Sequence, residues 1–462
     1  MIEWKIAGLD GSGGFVLRAK RMMKAIFGAA LIVAGGVGAA GADMLTPGGA
    51  YTPTLAGNDV PLLERRDLTG DWFGARPWLE AHGVDIEAYY TQYLQGVVDG
   101  GDERGWAYGG RVDTTINVDG EKAGLWRGLF ATAKIEGRYG QDVNEMAGAL
   151  SGPNFIMAFP NAFNSIAVTG LTITQALSEN FAVYAGKMNT LDQYAIRLDP
   201  ELAGLPSIGG FLNTSLIWNP IIARTYPYSA VGGGFVVLKD LQPVFSLTVF
   251  DPEERADRGV QRLFSNGVVI APDATLRTRL FGLPAVFNVG ATYSTAEYTS
   301  IKLDDYLGLV VANLLARRSG GSTSLAIPQK QSSWAVYGNA YQALWEGPDS
   351  HSWGVFGKFG VSDGNPNPVS YSVSAGLAGF SLIQSRPDDS FGIGGFYLGL
   401  SNDFKRLTSF ILPQRDEKGL EAFYTFAVNP STRLTADAQL LEPSTQDTST
   451  AVVLGLRLQV RL

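Results

Sequence analysis

The stretch 129–139, LFATAKIEGRY, sets Lys134, Glu136 and Arg138 at alternate positions. In extended backbone alternate side chains share a face. A carboxylate then stands between two bases on one wall, with Leu129, Ala131, Ala133, Ile135 and Tyr139 on the other row. The stretch 105–118, GWAYGGRVDTTINV, adds Arg111 and Asp113 in the same manner, opposite a row holding Trp106, Tyr108, Val112 and Ile116. Such a wall offers donors and acceptors side by side, and it can replace part of the hydration shell of a passing polar solute. Hydrogen bonds to charged groups contribute roughly 1.5–3 kcal/mol against about 1 for neutral ones. Metal and thiol chemistry are not indicated. There is no cysteine and only two histidines, His82 and His351, so disulfides and thiolate sites are excluded and no metal or other cofactor is expected.

The elements that must carry these rows are strands. The stretch 452–462, VVLGLRLQVRL, alternates an aliphatic row (Val452, Leu454, Leu456, Leu458, Val460) with one holding Arg457, Gln459 and Arg461. Period-two segments are expected near 84–98, 104–118, 126–139, 167–177, 180–189, 228–238, 243–251, 275–282, 286–299, 332–345, 352–361, 371–383, 391–401, 419–428, 432–442 and 451–462. The even connections are mostly short and many odd ones long, notably 140–166, 190–227, 252–274, 300–331 and 402–418. Short turns on one side and long loops on the other, with sixteen strands of about ten residues or more, describe an all-β transmembrane antiparallel β-barrel of the outer membrane. Only a closed barrel lets a sheet span lipid without unpaired edges. A mean hydropathy of +0.05, 57 glycines and 11% aromatic residues agree with many strands and turns, and the net charge of −8 argues against a nucleic-acid partner.

Residues 1–42 are expected to be a secretory signal peptide, with basic Arg18, Lys20, Arg21 and Lys24, an apolar stretch from Ala25, and an A-x-A pattern at Ala40–Ala42. The natural start is expected at Met22 or Met23. Residues 43–83 read as a periplasmic leader ending in a short helix, with Asp71 as its cap and Gly83 as its stop. The barrel is expected over 84–462.

Four stretches resemble the carbohydrate-selective outer-membrane porins of the OprB type: DLTGDWFGARPWLEAHGVDIEAYY (67–90), AGKMNTLDQYA (185–195), GKFGVSDGNPNPVSYSVSAGLAGFSLIQSRPDDSFGIGGF (357–396) and EAFYTFAVNPSTRLTADAQLLEPSTQDTSTAVVLGLRLQV (421–460). Residues 200–330 resemble the family least. The resemblance implies a sixteen-stranded barrel passing monosaccharides and polyols passively through a constriction lined by charged side chains. One departure is Leu462 where such chains commonly end in an aromatic residue, which would lower assembly efficiency.

By alternation the lumen candidates are Glu87, Tyr89 and Tyr93 on the first strand, Arg111 and Asp113 on the second, and Lys134, Glu136 and Arg138 on the third. Lys187 and Asn189 on the fifth and Lys358 on the twelfth follow. Arg111, Lys134, Glu136 and Arg138 are expected to form the selective ring, and loops 140–166 and 190–227 to fold inward. Trp106, Tyr139, Trp334 and Trp353 are expected in interfacial girdles. The acidic run Asp251, Glu253, Glu254 and Asp257 lacks calcium-site spacing and reads as a solvated loop. An outer-membrane lipase would need a base beside its nucleophile, and neither histidine offers one, so no enzyme is expected. The alternative function is a general or organic-anion porin. Partners are sugar solutes and outer-membrane lipid, and monomer and trimer both stay open.

Overall fold

The computed structural model describes residues 60–158, 165–192, 210–308, 327–347, 351–380, 383 and 385–462; the expected signal peptide lies outside them. Sixteen antiparallel strands form one closed barrel. They are β1 Val84–Gly101, β2 Gly105–Asp119, β3 Leu129–Gly140, β4 Ser165–Ser178, β5 Phe181–Asn189, β6 Ser229–Lys239, β7 Gln242–Phe250 and β8 Val269–Leu280. The second half holds β9 Leu283–Thr299, β10 Gln329–Glu346, β11 Ser352–Ser362, β12 Val369–Phe380, β13 Ser390–Leu400, β14 Glu417–Asn429, β15 Thr432–Glu442 and β16 Ser449–Arg461. Every strand pairs with its neighbour in sequence, and β16 closes on β1 with Tyr89 opposite Arg461 and Tyr93 opposite Arg457.

The alternating rows resolve as expected. On β16, Leu454 and Leu456 face outward, 41% and 48% exposed, while Arg457 faces the lumen at 1%. Trp106 and Trp334 are exposed on the outer surface; Tyr139 and Trp353 are partly so. The eighth strand begins earlier than expected. Pro272 and Asp273 obscure its pattern, yet Pro272 sits opposite Leu247 and Asp273 opposite Ser246, and the Asp273 carboxylate is held by Asn288 (2.9 Å) and Tyr337 (2.8 Å).

At the short-turn end the segment before β1 reaches the terminal strand. Arg76, in the helix Ala75–Ala81, donates to the Leu462 carbonyl oxygen (2.9 Å) and pairs with Asp67 (2.5 Å), which also pairs with Arg461 (2.6 Å). The helix cap differs from expectation. Gly74, in the left-handed region, occupies that position, and Asp71 instead closes the preceding turn by accepting from the Phe73 amide (3.0 Å). Gly83, at φ +78°, ends the helix as expected and directs the chain into β1.

The lumen is not open water. Residues 150–158 and 210–228, from the long β3–β4 and β5–β6 connections at the other end, fold into it. They bring an apolar core of Phe155, Phe211, Leu216, Trp218, Ile221 and Ile222 against the inward faces of Phe356 and Phe423. Glycine on the wall makes room for it. A Cβ at Gly360 would lie 2.5 Å from the Ile221 side chain, and one at Gly392 would lie 2.8 Å from the Phe211 ring. The glycine-rich composition of β11 and β13 is thus the other half of the contact with the loop.

Candidate functional site

The charged row on β2 and β3 assembles as its spacing requires. Arg111 is opposite Arg138, Asp113 opposite Glu136, and Thr115 opposite Lys134. Arg111 Nε donates to Asp113 (2.6 Å), and its other nitrogens reach the Glu136 carboxylate and, at 2.7 Å, the Ile156 carbonyl oxygen. Glu136 also accepts from the Tyr228 hydroxyl. Lys134 pairs with Asp192 (2.6 Å) and lies 3.8 Å from Glu136. Arg138 donates to the Met157 carbonyl oxygen and faces Asp142 at 3.9 Å.

Arg111 and Glu136 are fully buried, and Lys134, Arg138 and Asp113 are nearly so. What covers them is the inward chain: residues 156–157 lie over Arg111 and Arg138, Asp192 over Lys134, and Tyr228 over Glu136. The four ring residues do come together. Each of them reaches the loops through at least one polar atom.

The remaining candidates separate from this cluster. Lys187 turns to the long-loop end, where it donates to the Ala256 and Arg258 carbonyl oxygens (both 3.3 Å). Glu87 and Tyr89 lie at the short-turn mouth and share Arg461, at 2.8 Å and 3.3 Å. Asn189 caps the start of its loop by accepting from the Leu191 and Asp192 amides. Lys358 is on β11 and not on the twelfth strand, because 352–361 is the eleventh period-two segment. It donates to the Leu216 carbonyl oxygen at the end of the helix Thr214–Ile217.

Several residues that were not among the site candidates complete the attachment. Glu417 accepts from the Leu150 and Ser151 amides (2.7 and 2.6 Å), and Glu421 from Leu212 and Asn213 (2.5 and 2.8 Å). Arg457 donates to the Gly210 carbonyl oxygen (3.1 Å), and Gln439 to that of Pro153 (2.8 Å). On the far wall, Ser372 donates to the Asn219 side chain (2.7 Å) and Ser374 to the Ser215 carbonyl oxygen (2.8 Å). Charge-assisted bonds from β14 and β16 on one wall, and Lys358 with the Ser372 and Ser374 hydroxyls from β11 and β12 on the other, therefore suspend the segment 210–222 across the barrel. A signal for this was present in the sequence. FLNTSLIWNPII (211–222) is an apolar run inside a long outer loop, and loops that stay on the surface rarely carry one.

Outside the strands, burial drives the Asp192 carboxyl up to about 6 against the pull of Lys134. It drives Glu254 up to about 7, opposed by the amides of Ala256, Tyr228 and Ser229. Asp251, expected in a solvated acidic loop, is instead buried. Its oxygens accept from the Glu253 amide (2.8 Å), the Phe264 amide (2.7 Å) and Arg255 (3.0 Å). His351 stacks on Phe380 with centroids 3.9 Å apart, while the adjacent Ser352 hydroxyl meets Tyr341 (3.0 Å), so the two do not orient one another.

Comparisons with known proteins agree with this architecture. The chain resembles the high-pH structure of OprB from Pseudomonas putida with a TM-score of 0.73 at 19% identity, covering 87% of this chain and 100% of that one. The low-pH structure of the same protein matches at a TM-score of 0.52 and 17% identity, covering 86% and 99%. At these identities the likeness speaks for the fold. QuiX of Acinetobacter baylyi, which carries the name of a porin, is 24% identical over 457 residues, covering 88% of this chain and 95% of that protein. The family model described as "Carbohydrate-selective porin, OprB family" matches residues 103–462. That range takes in the charged rows of β2 and β3, the inward segments and the closing strand alike, so the chain belongs to the carbohydrate-selective porins of the OprB family and is a channel of the bacterial outer membrane rather than an enzyme.

Proposed function

We propose that the pore passes monosaccharides and small polyols down their gradients through a passage bounded by residues 150–158 and 210–228, and that Arg111, Asp113, Lys134, Glu136 and Arg138 act by fixing that boundary. The observation that carries this is the near-balance of the buried charges. Three bases, Arg111, Lys134 and Arg138, face four carboxylates, Asp113, Glu136, Asp142 and Asp192, in close pairs. Paired charges leave little net field along the passage. A neutral solute meets no Coulomb barrier there, while an organic anion gains little attraction. Weak, replaceable hydrogen bonds to the wall and to loop backbone then allow both entry and release. Lys187 contributes at the outer approach, and Glu87 and Tyr89 at the periplasmic mouth.

Single-channel recording in a planar bilayer tests this with glucose, glycerol and gluconate titrated in turn. The expected result is saturable block by glucose that weakens in Glu136→Gln and Arg138→Ala, where the boundary loosens. Large conductance with no block by any sugar would remove the selective reading. Block by gluconate alone would move the substrate class to organic anions.

A further inference from the structure

The periplasmic half of the lumen holds polar groups to which, among the described residues, no inward segment bonds. Thr91 on β1, Gln459 on β16 and Arg433 on β15 occupy one rung, with Thr91 opposite Gln459 and Gln459 opposite Arg433. Thr91 and Gln459 are both more than nine-tenths buried, at 2% and 8% exposed. Among the described residues neither the Thr91 hydroxyl nor the Gln459 amide has a hydrogen-bond partner. Their polar atoms are not among the enclosed unpartnered ones, so they stay accessible from the lumen, where a solute can supply the hydrogen bonds that mostly buried polar side chains ordinarily have.

Arg433 shows the same incompleteness. Its guanidinium makes one hydrogen bond, to the Asp388 carbonyl oxygen at 3.1 Å. Among the described residues no carboxylate lies within ion-pair distance of it. The contrast with its neighbour is direct. Arg461, two residues from Gln459, is fully engaged by Asp67 (2.6 Å), Glu87 (2.8 Å) and the Tyr89 hydroxyl (3.3 Å). Arg461 also stands 5.7 Å from the centre of the Tyr89 ring, which fixes that ring at the lumen wall, partly exposed.

The geometry points to a second sugar subsite at this rung, on the periplasmic side of the constriction, formed by Tyr89, Thr91, Arg433 and Gln459 and taking a neutral pyranose. It rests on the reading of the channel as a sugar pore and deepens it by adding an exit site. The chemistry fits that class. The Tyr89 ring presents a flat apolar surface to the C–H face of the ring sugar. The unused Arg433 nitrogens can span two adjacent hydroxyls, as a planar fork does with paired oxygens. Gln459 and Thr91 supply both donors and acceptors, which hydroxyl groups require. Arg461 and Glu87 position the platform without spending a bond on the solute. A site placed here would hold a sugar after the constriction and lengthen its stay before release to the periplasm.

The test is glucose and glucuronate block of single channels in the full-length protein, comparing wild type with Arg433→Gln and Gln459→Ala. Unaltered heat-modifiable mobility would first confirm that each variant forms the barrel. The expected result is a half-blocking glucose concentration raised about tenfold in Arg433→Gln, as loss of a charge-assisted hydrogen bond implies, with a smaller rise in Gln459→Ala. Glucose block in wild type with the same constant in both variants overturns the exit subsite while leaving the constriction reading intact. Absence of glucose block in wild type overturns both. Weakening confined to glucuronate would overturn the pyranose assignment and make the rung an anion site.

Discussion

Removing the Arg111 charge while keeping its bulk, as in Arg111→Met, strips the central tie between wall and loop. The ion pairs to Asp113 and Glu136 vanish, as do the bonds to the Ile156 carbonyl oxygen and the Tyr228 hydroxyl. Two buried carboxylates then face each other across β2 and β3. Breaking a buried pair by deleting one partner costs about 3–5 kcal/mol. Here Glu136 keeps Lys134 at 3.8 Å, so the low end, about 3 kcal/mol, is expected. That is a factor of roughly 10² in the equilibrium between a seated and a released 150–158 segment. The barrel ladder does not involve these side chains, so strand pairing should survive. In planar bilayers the variant should show raised conductance and added open-channel noise, with heat-modifiable mobility retained. A double-mutant cycle gives the sharper measurement. Adding Glu136→Gln removes the stranded charge, so Arg111→Met/Glu136→Gln should recover at least about 1.5 kcal/mol relative to the sum of the single changes. Additive costs would refute the claim that these two residues act as a pair.

Three further outcomes are expected. Arg76→Ala removes the bond to Leu462 and the pair with Asp67, and should cost about 1.5–3 kcal/mol; limited proteolysis should then release the segment before β1 while the barrel core persists. The Asp192 carboxyl, held up near 6 by burial, lies above its unfolded value, so the folded state takes up this proton first and the group adds stability as pH falls through about 6. The same protonation removes the negative partner of Lys134, so ion selectivity should shift toward anions between pH 7 and pH 5, and reversal potentials in Asp192→Asn should show no such shift. Leu456→Arg, on the lipid face of β16, should cost about 2–4 kcal/mol if near the bilayer midplane, read as a lower temperature for the heat-modifiable transition.

The wall was legible because lipid on one side and a polar lumen on the other force a strict two-residue period, and because turn length alternates with membrane side. Where a strand lacks that contrast its bounds blurred, as at Pro272 and Asp273 in β8. The charged cluster was legible for the same reason, since Lys134, Glu136 and Arg138 share one face of one strand. What lay beyond reach was the destination of the loops. Lys358 looked like a pore-lining base and is instead bonded to Leu216. Glu417 and Glu421 carry no local mark of their loop partners Leu150 and Leu212, which lie more than 200 residues away in sequence. A side chain's face follows from local backbone geometry, whereas the chain that covers it is fixed only by packing between distant segments.

The apolar core inside the barrel has a mechanical consequence. A passage bordered by a floppy loop could widen smoothly under solute or voltage. Here its border is a packed assembly in which Phe211 meets Phe423 edge-on at 4.9 Å and Phe356 at 5.5 Å. Close-packed interiors yield in discrete repackings and resist continuous strain. Bore width in such a channel is therefore quantised by side-chain volume. Substitutions along 211–222 should tune permeability in steps, each tied to one ring or one branched side chain gained or lost.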